Sequence, residues 1–304
     1  MPHRGRYVAF VQASPSRLAR TKAALPWPAK AVAKMVLARL PVPYRWWKKL
    51  SLFEHGRMDD PGYVLGVVRE HVAALGRPLE GATCLELGPG DSLASALVLA
   101  ALGAGRILLV DVGPFATVDL GAYARLAAGL REQGLPVPTV ETAGSVPAML
   151  DRLHATYLSD GLASLRGIAS ASVHLVWSHA VLEHVRRAQV ADTLAELRRV
   201  SAADGVSSHR IDLRDHLAES LNNLRFPRAL WESRLIAGSG FYTNRMRHPD
   251  WLAAFATAGF EVVTDEPQRW PVIPLDRRRL AGEFRGLPDP DLRVLDVRIV
   301  ARPG

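Results

Sequence analysis

The chain has 304 residues, 48% of them hydrophobic, with 38 Lys and Arg against 30 Asp and Glu, long enough to bury a sizeable core as one large domain or a domain with appendages. Its single cysteine, Cys84, excludes an internal disulfide and speaks against a cysteine metal cluster. There is no run of about 18 apolar residues to span a bilayer and no compact apolar stretch of a secretory signal at the N-terminus, so a cytoplasmic protein is expected, at most peripheral to a membrane.

The charge is uneven along the chain. Residues 1–57 carry 12 Lys and Arg and one acid, Glu54, while the remainder is mildly acidic at −3. Residues 1–80 read as a basic helical N-terminal extension or cap, with a helix expected over 29–40, then Tyr44, Trp46 and Trp47 beside Lys48 and Lys49, then a second helix over 63–75. Gly81 opens the main domain, 81–304. Strands are expected at 83–87, 107–111, 156–158, 173–177, 206–213, 260–264 and 292–301. Helices are expected at 92–102, 119–132, 180–200 and 249–258, the last closed by Gly259 as a C-cap. Residues 137–155 read as an insertion, Ala203-Asp204-Gly205 as a turn and 214–247 as a lid. Alternation of this kind argues for βαβ units and a parallel sheet.

Two stretches belong together: CLELGPGDS at Cys84–Ser92 and ILLVDV at Ile107–Val112. A turn with Gly88 and Gly90 lets backbone approach a ligand where a side chain would collide. An acid closing the next strand, Asp111, can take both hydroxyls of a ribose. The pair predicts a nucleoside-containing cofactor. Leu93 stands where the nicotinamide fingerprint needs its third glycine, which disfavours a dinucleotide.

The first stretch resembles motif I of the class I S-adenosylmethionine (SAM) methyltransferases, with Glu86, Gly88 and Gly90 in place and Ser92 at the third glycine. SVHLVWSHAVLEHV, Ser172 to Val185, is similar to that family's strand-four motif with its following LEHV, although His174 stands where many relatives have Asp. The resemblance implies an α/β, Rossmann-like sheet of seven strands with the last antiparallel, and SAM as cofactor. It also implies that Glu86 organises the glycine loop, Asp111 holds the ribose, Asp160 accepts from the adenine amine, and Ser178 and His179 line the cofactor. His184 would face the reaction centre; on a helix it would point about 100° away from Glu183.

HRIDLRDH, residues 209–216, follows strand five. Strand alternation puts His209, Ile211 and Leu213 on one face and Arg210 and Asp212 on the other. Ligands bind beyond the carboxyl ends of parallel strands, which favours Asp212, Asp215 and His216. Methyl transfer to oxygen or nitrogen often needs a base, and His184, His216 or Asp212 could take the acceptor's proton. The cluster holds four potential metal ligands in no specific geometry, so no metal is expected. Asn222 to Arg247 mixes Phe226, Trp231, Phe241 and Tyr242 with five arginines; it reads either as a grip on a polyhydroxylated or anionic acceptor or as an amphipathic helix and solvated loop. The extension suits a cap over the pocket, a peripheral membrane contact through residues 1–57, or nucleic acid.

The sequence thus points to a methyltransferase acting on a small molecule, a sugar or other hydroxylated metabolite. Two rivals stand beside it. An RNA methyltransferase is disfavoured, because Ser178-His179-Ala180-Val181 replaces the Asn/Asp-Pro-Pro-aromatic loop of enzymes that methylate nucleic-acid amines. A non-catalytic SAM-binding scaffold docking on membranes is the other.

Overall fold

The computed structural model describes residues 27–30, 32 and 58–304. In chain order the main elements are α1 (Pro61–Ala73), β1 (Thr83–Leu87), α2 (Ala94–Ala101), β2 (Arg106–Val110), α3 (Leu120–Glu132), α4 (Val146–Arg152), β3 (Ala155–Leu158), α5 (Leu162–Arg166), β4 (Val173–His179), α6 (Val190–Val200), β5 (Ser201–Asp212), α7 (His248–Thr257), β6 (Phe260–Arg269) and β7 (Val294–Pro303). Short helical turns lie between them.

The strands form one sheet in the order β3-β2-β1-β4-β5-β7-β6. β1 to β5 pair in parallel, and β7 runs antiparallel to both its neighbours. The seven-stranded Rossmann-like sheet with an antiparallel last strand is the architecture expected from the sequence.

The apolar runs of β1, β2 and β4 cover both faces of the sheet, as buried parallel strands require. Cys84, Ile107, Leu109 and Trp177 pack against Val68 of α1, Leu97 of α2, Leu126 of α3 and Met149 of α4. Their alternates Leu85, Leu108 and Val176 pack against Leu165 of α5, Leu194 of α6 and Trp251 and Phe255 of α7. Three layers result. α1, which the sequence placed in the 1–80 extension, shares the first of these clusters. It begins cleanly, since Asp60 accepts from Tyr63 N at 2.8 Å and Pro61 occupies the first turn, an N-cap followed by a residue that lacks the amide a helix start leaves unpaired.

Three expected elements change. The helix expected over 180–200 starts only at Val190. Ala180 adopts φ +55°, and Val185 and Arg186 are extended. The chain between them therefore makes two 3₁₀ turns, Leu182–His184 and Arg187–Gln189. The turn expected at Ala203-Asp204-Gly205 lies inside β5: Val173 pairs with Ser201 and Leu175 with Val206, so the extra residues bulge out. The 137–155 insertion holds α4, capped by Ser145, which accepts from Ala148 N. α7 does end at Gly259, whose φ is +83°, as expected.

Most of the helix expected over 29–40 and the Tyr44–Lys49 segment lie outside the described residues. Trp27–Lys30 are helical. Among the described residues no helix is long and apolar enough to cross a membrane.

Candidate active site

The strand order reverses between β1 and β4, and at such a point the two following loops part to leave a crevice. The glycine loop leaves β1 there. Gly88 (φ +75°) and Gly90 (φ +68°) both occupy the left-handed region, open to glycine at little cost. Gly90 N donates to Asp111 Oδ2 at 2.9 Å, and Val112 N donates to Asp111 Oδ1 at 2.7 Å. Gly161 N, just after β3, donates to the Asp111 carbonyl at 2.7 Å. The loops after β1, β2 and β3 thus meet on one residue. A Cβ added to Gly90 would meet nothing within 4 Å, whereas one at Gly88 would lie 2.5 Å from Val181 Cγ1. Gly90 faces open space, and Gly88 is the seat on which the loop after β4 rests.

Glu86 is buried and accepts from Ser95 Oγ, which ties the end of β1 to α2. Burial pushes its carboxyl up to about 8, the Ser95 bond opposes this and nearby Asp111 adds to it. Ser92 is half-buried two residues ahead of α2. Asp160 stands exposed two residues after β3, its amide donating to Ser164 Oγ at 3.0 Å. Sequence reasoning missed the apolar rim beside Asp111, where Val112 is 78% and Phe115 40% exposed. An apolar residue directly after a strand-ending acid, where a solvated turn would be polar, was the available signal.

Ser178 departs from expectation. It is fully buried, and its Oγ bonds His209 Nδ1 at 2.7 Å, while His209 Nε2 bonds Ser207 Oγ at 2.7 Å. Both point to the α7 side of the sheet, where His209 meets Phe255, because residues paired in register share a face. Ser178 is therefore part of a β4–β5 core link, not of the cofactor lining. Its neighbour His179 points the other way, its Nδ1 3.3 Å from His71 Nε2, and His71 Nδ1 bonds Ser208 Oγ at 2.9 Å. Burial lowers all three imidazoles: His71 well below the usual range, His179 to about 4 with the Arg210 charge assisting, and His209 to about 3.

Beyond the ends of β4 and β5 the chain gathers a second polar group. The 3₁₀ turn that replaces the expected helix brings Glu183 and His184 to the same place, and their ligating atoms and one of His216 all lie within 4.8 Å of one another. The rings of His184 and His216 stand edge to face, 4.7 Å between centroids. His184 Nδ1 is 2.9 Å from the Tyr242 carbonyl. Buried Glu183 accepts from Asp212 N through Oε1 at 3.3 Å, and burial, with Asp212 nearby, raises its carboxyl well above the usual range. Asp212 itself is clasped by Arg214, whose Nε and Nη2 reach its two oxygens at 2.9 and 2.8 Å. Burial would raise the Asp212 carboxyl, but the bond and charge of Arg214 win and hold it below the ordinary value. Asp212 Oδ2 is 3.8 Å from His216 Nε2. Asp215 organises its own turn, accepting from the amides of Leu217, Ala218, Ser220 and Asn222 and from Trp27 Nε1 at 2.9 Å. His209 and Asp215 therefore do not converge with Asp212 and His216.

The last part of the expected lid is core. Every residue from Phe241 to His248 is buried. Arg245 donates to the Asn223 and Phe226 carbonyls and Arg247 to those of Leu213 and Asp291, and burial brings both guanidiniums down to about 10. These two arginines brace the segment. Trp27 stacks on Phe226 at 5.4 Å, so this residue of the extension lies on the segment.

No family model and no curated protein matches the chain. Solved structures are similar to it in arrangement. A SAM-dependent methyltransferase from Mesorhizobium loti has 16% identity, covers 79% of this chain and 99% of its own, and gives a TM-score of 0.44. The geranyl diphosphate C-methyltransferase of Streptomyces coelicolor A3(2), crystallised with Mg2+, geranyl diphosphate and S-adenosyl-L-homocysteine, has 16% identity over 79% of each chain at 0.45. A SAM-dependent methyltransferase from Methanosarcina mazei has 16% identity over 75% of this chain and 95% of its own, also at 0.45.

Proposed function

We propose that this chain is a SAM-dependent methyltransferase acting on a small-molecule acceptor, a sugar or other hydroxylated metabolite. The observation that carries the reading is the Asp111–Gly90 link at the reversal of strand order, with empty space where a Gly90 side chain would stand. The residues present fit the cofactor. A carboxylate is an acceptor-only group with about four lone-pair sites, the chemistry that suits Asp111 to ribose hydroxyls. Gly90 allows the backbone to close on the ligand, Val112 offers apolar cover to the adenine, and Asp160 suits the adenine amine. Asp111 gives the neighbourhood a negative potential that suits a sulfonium cation.

When bound, SAM supplies a methyl group already activated on sulfur, and its transfer to a hydroxyl leaves S-adenosylhomocysteine and releases the hydroxyl's proton. The protein's part is alignment and the handling of that proton. Val181 rests on Gly88, so Glu183 and His184, two and three residues on, stand beside the cofactor seat, with His216 against them. Asp212, clasped by Arg214, is a poor proton acceptor. With its Nδ1 proton donated to the Tyr242 carbonyl, His184 has its basic lone pair on Nε2.

Calorimetry of the full chain with SAM and S-adenosylhomocysteine tests the reading. Both should bind, and Asp111→Ala should weaken SAM binding by about 1 to 3 kcal/mol, the cost of leaving polar groups unpaired. A wild-type chain that binds neither, or an unchanged dissociation constant in the variant, rejects it. Mass spectrometry of hydroxylated metabolites incubated with enzyme and SAM then seeks the methylated product. Binding without turnover across a broad panel favours the scaffold.

A further inference from the structure

We infer that Glu183, His184 and His216 form a binding site for one divalent transition-metal ion of the zinc type. One ligating atom from each lies within 4.8 Å of the other two. Rotation of the half-buried His216 ring, with His184 kept on its Tyr242 bond, would draw that spacing in around an ion at about 2.0 to 2.2 Å.

Three further observations support a site over an incidental cluster. The Glu183 side chain is 1% exposed, and while its Oε1 takes the Asp212 amide, its Oε2 has no hydrogen-bond partner among the described residues. A buried carboxylate oxygen left so is costly and calls for a partner. The bond between His184 Nδ1 and the Tyr242 carbonyl at 2.9 Å fixes the tautomer in which Nε2 can ligate, the usual arrangement behind a metal-bound histidine. Asp212, locked by Arg214 as a carboxylate, stands 3.8 Å from His216 Nε2, beyond a hydrogen bond but near enough for its charge to favour a cation here.

The donor set selects the ion. Two imidazoles and one carboxylate suit zinc and its neighbours, while magnesium and calcium want oxygen alone. Three protein ligands with one histidine open to solvent leave a coordination position for a further oxygen. What that oxygen belongs to rests on the function proposed above: an acceptor hydroxyl bound there would lose its proton to solvent water more readily, and the two imidazoles would serve as ligands instead of proton acceptors. The binding itself does not depend on that reading.

The test uses the full chain, stripped with a chelator and dialysed, then titrated with Zn2+ by calorimetry and with Co2+ followed by visible ligand-field absorption. One equivalent of each should bind, and tenfold more Mg2+ should not displace it. The double variant His184→Ala/His216→Ala should lose at least tenfold in Zn2+ affinity and the Co2+ bands, and Glu183→Gln should weaken Zn2+ in the same direction. SAM affinity, measured on every sample, reports an intact fold and separates the two proposals: metal bound without SAM leaves this site standing and removes the function, and the reverse removes the site alone. A wild-type chain that takes up no stoichiometric Zn2+, or a double variant that keeps its affinity and Co2+ spectrum, overturns the inference.

Discussion

Two glycines two residues apart do different work. Both have positive φ, a conformation that costs an ordinary residue about 1 to 3 kcal/mol. At Gly88 an added Cβ would also collide with Val181 at 2.5 Å, while at Gly90 it would meet only space. Gly88→Ala should therefore destabilise the fold by more than Gly90→Ala, and Gly90→Ala should lose more SAM affinity per unit of lost stability. Urea unfolding and SAM calorimetry on both variants check this; equal stability losses, or undiminished SAM binding by Gly90→Ala, contradict the assignment. The same scale shows how a sequence misleads. Ser178 stands where the family motif lines its cofactor, yet register with His209 turns it into the core.

At the scale of elements, β4 and β5 are joined beyond their ladder by the Ser178–His209–Ser207 chain. Ser178→Ala should cost about 1 to 3 kcal/mol, since it strands a buried His209 nitrogen, and should leave SAM affinity unchanged. A loss of SAM binding at full stability would return Ser178 to the cofactor. The strands and the glycine loop were legible in the sequence because their signals are local: β1 was expected at 83–87 and found at Thr83–Leu87, apolar runs ending in a glycine or an acid. Asp111 and Gly90 could be paired from spacing alone. The segment after β4 was not legible. Its residues read as helical by composition, and only the left-handed turn at Ala180, imposed by packing over Gly88, breaks the helix and brings Glu183 and His184 together. Arg245 and Arg247 look like solvent-facing charges in sequence; the carbonyls they brace come from three other segments and leave no local pattern.

The whole molecule stores opposing protonation preferences. His71, His179 and His209 are held neutral by burial, so on acidification below about 6.5 the unfolded chain takes up protons that the native one refuses, and stability falls. Glu86 and Glu183 are pushed up by burial, so the native state keeps protons that the unfolded chain has shed above about 4.5, and stability falls as pH rises. Between those two limits the sets offset each other. From about 6.5 up to about 8 only the acids act, and stability should decline until Glu86 has ionised. Urea midpoints over that window should fall with pH and fall less steeply in Glu86→Gln; midpoints that rise with pH, or the same slope in the variant, refute the account.

β6 is an outer strand of the sheet, ten residues long. Such a strand invites another chain to continue the ladder. Here it carries Glu261, Asp265, Glu266 and Arg269, and includes Pro267, which has no amide to offer. A neighbouring molecule seeking to extend the hydrogen bonding would meet a gap and a row of charges. The rim of the sheet thus guards against stacking into fibrils when the protein is concentrated.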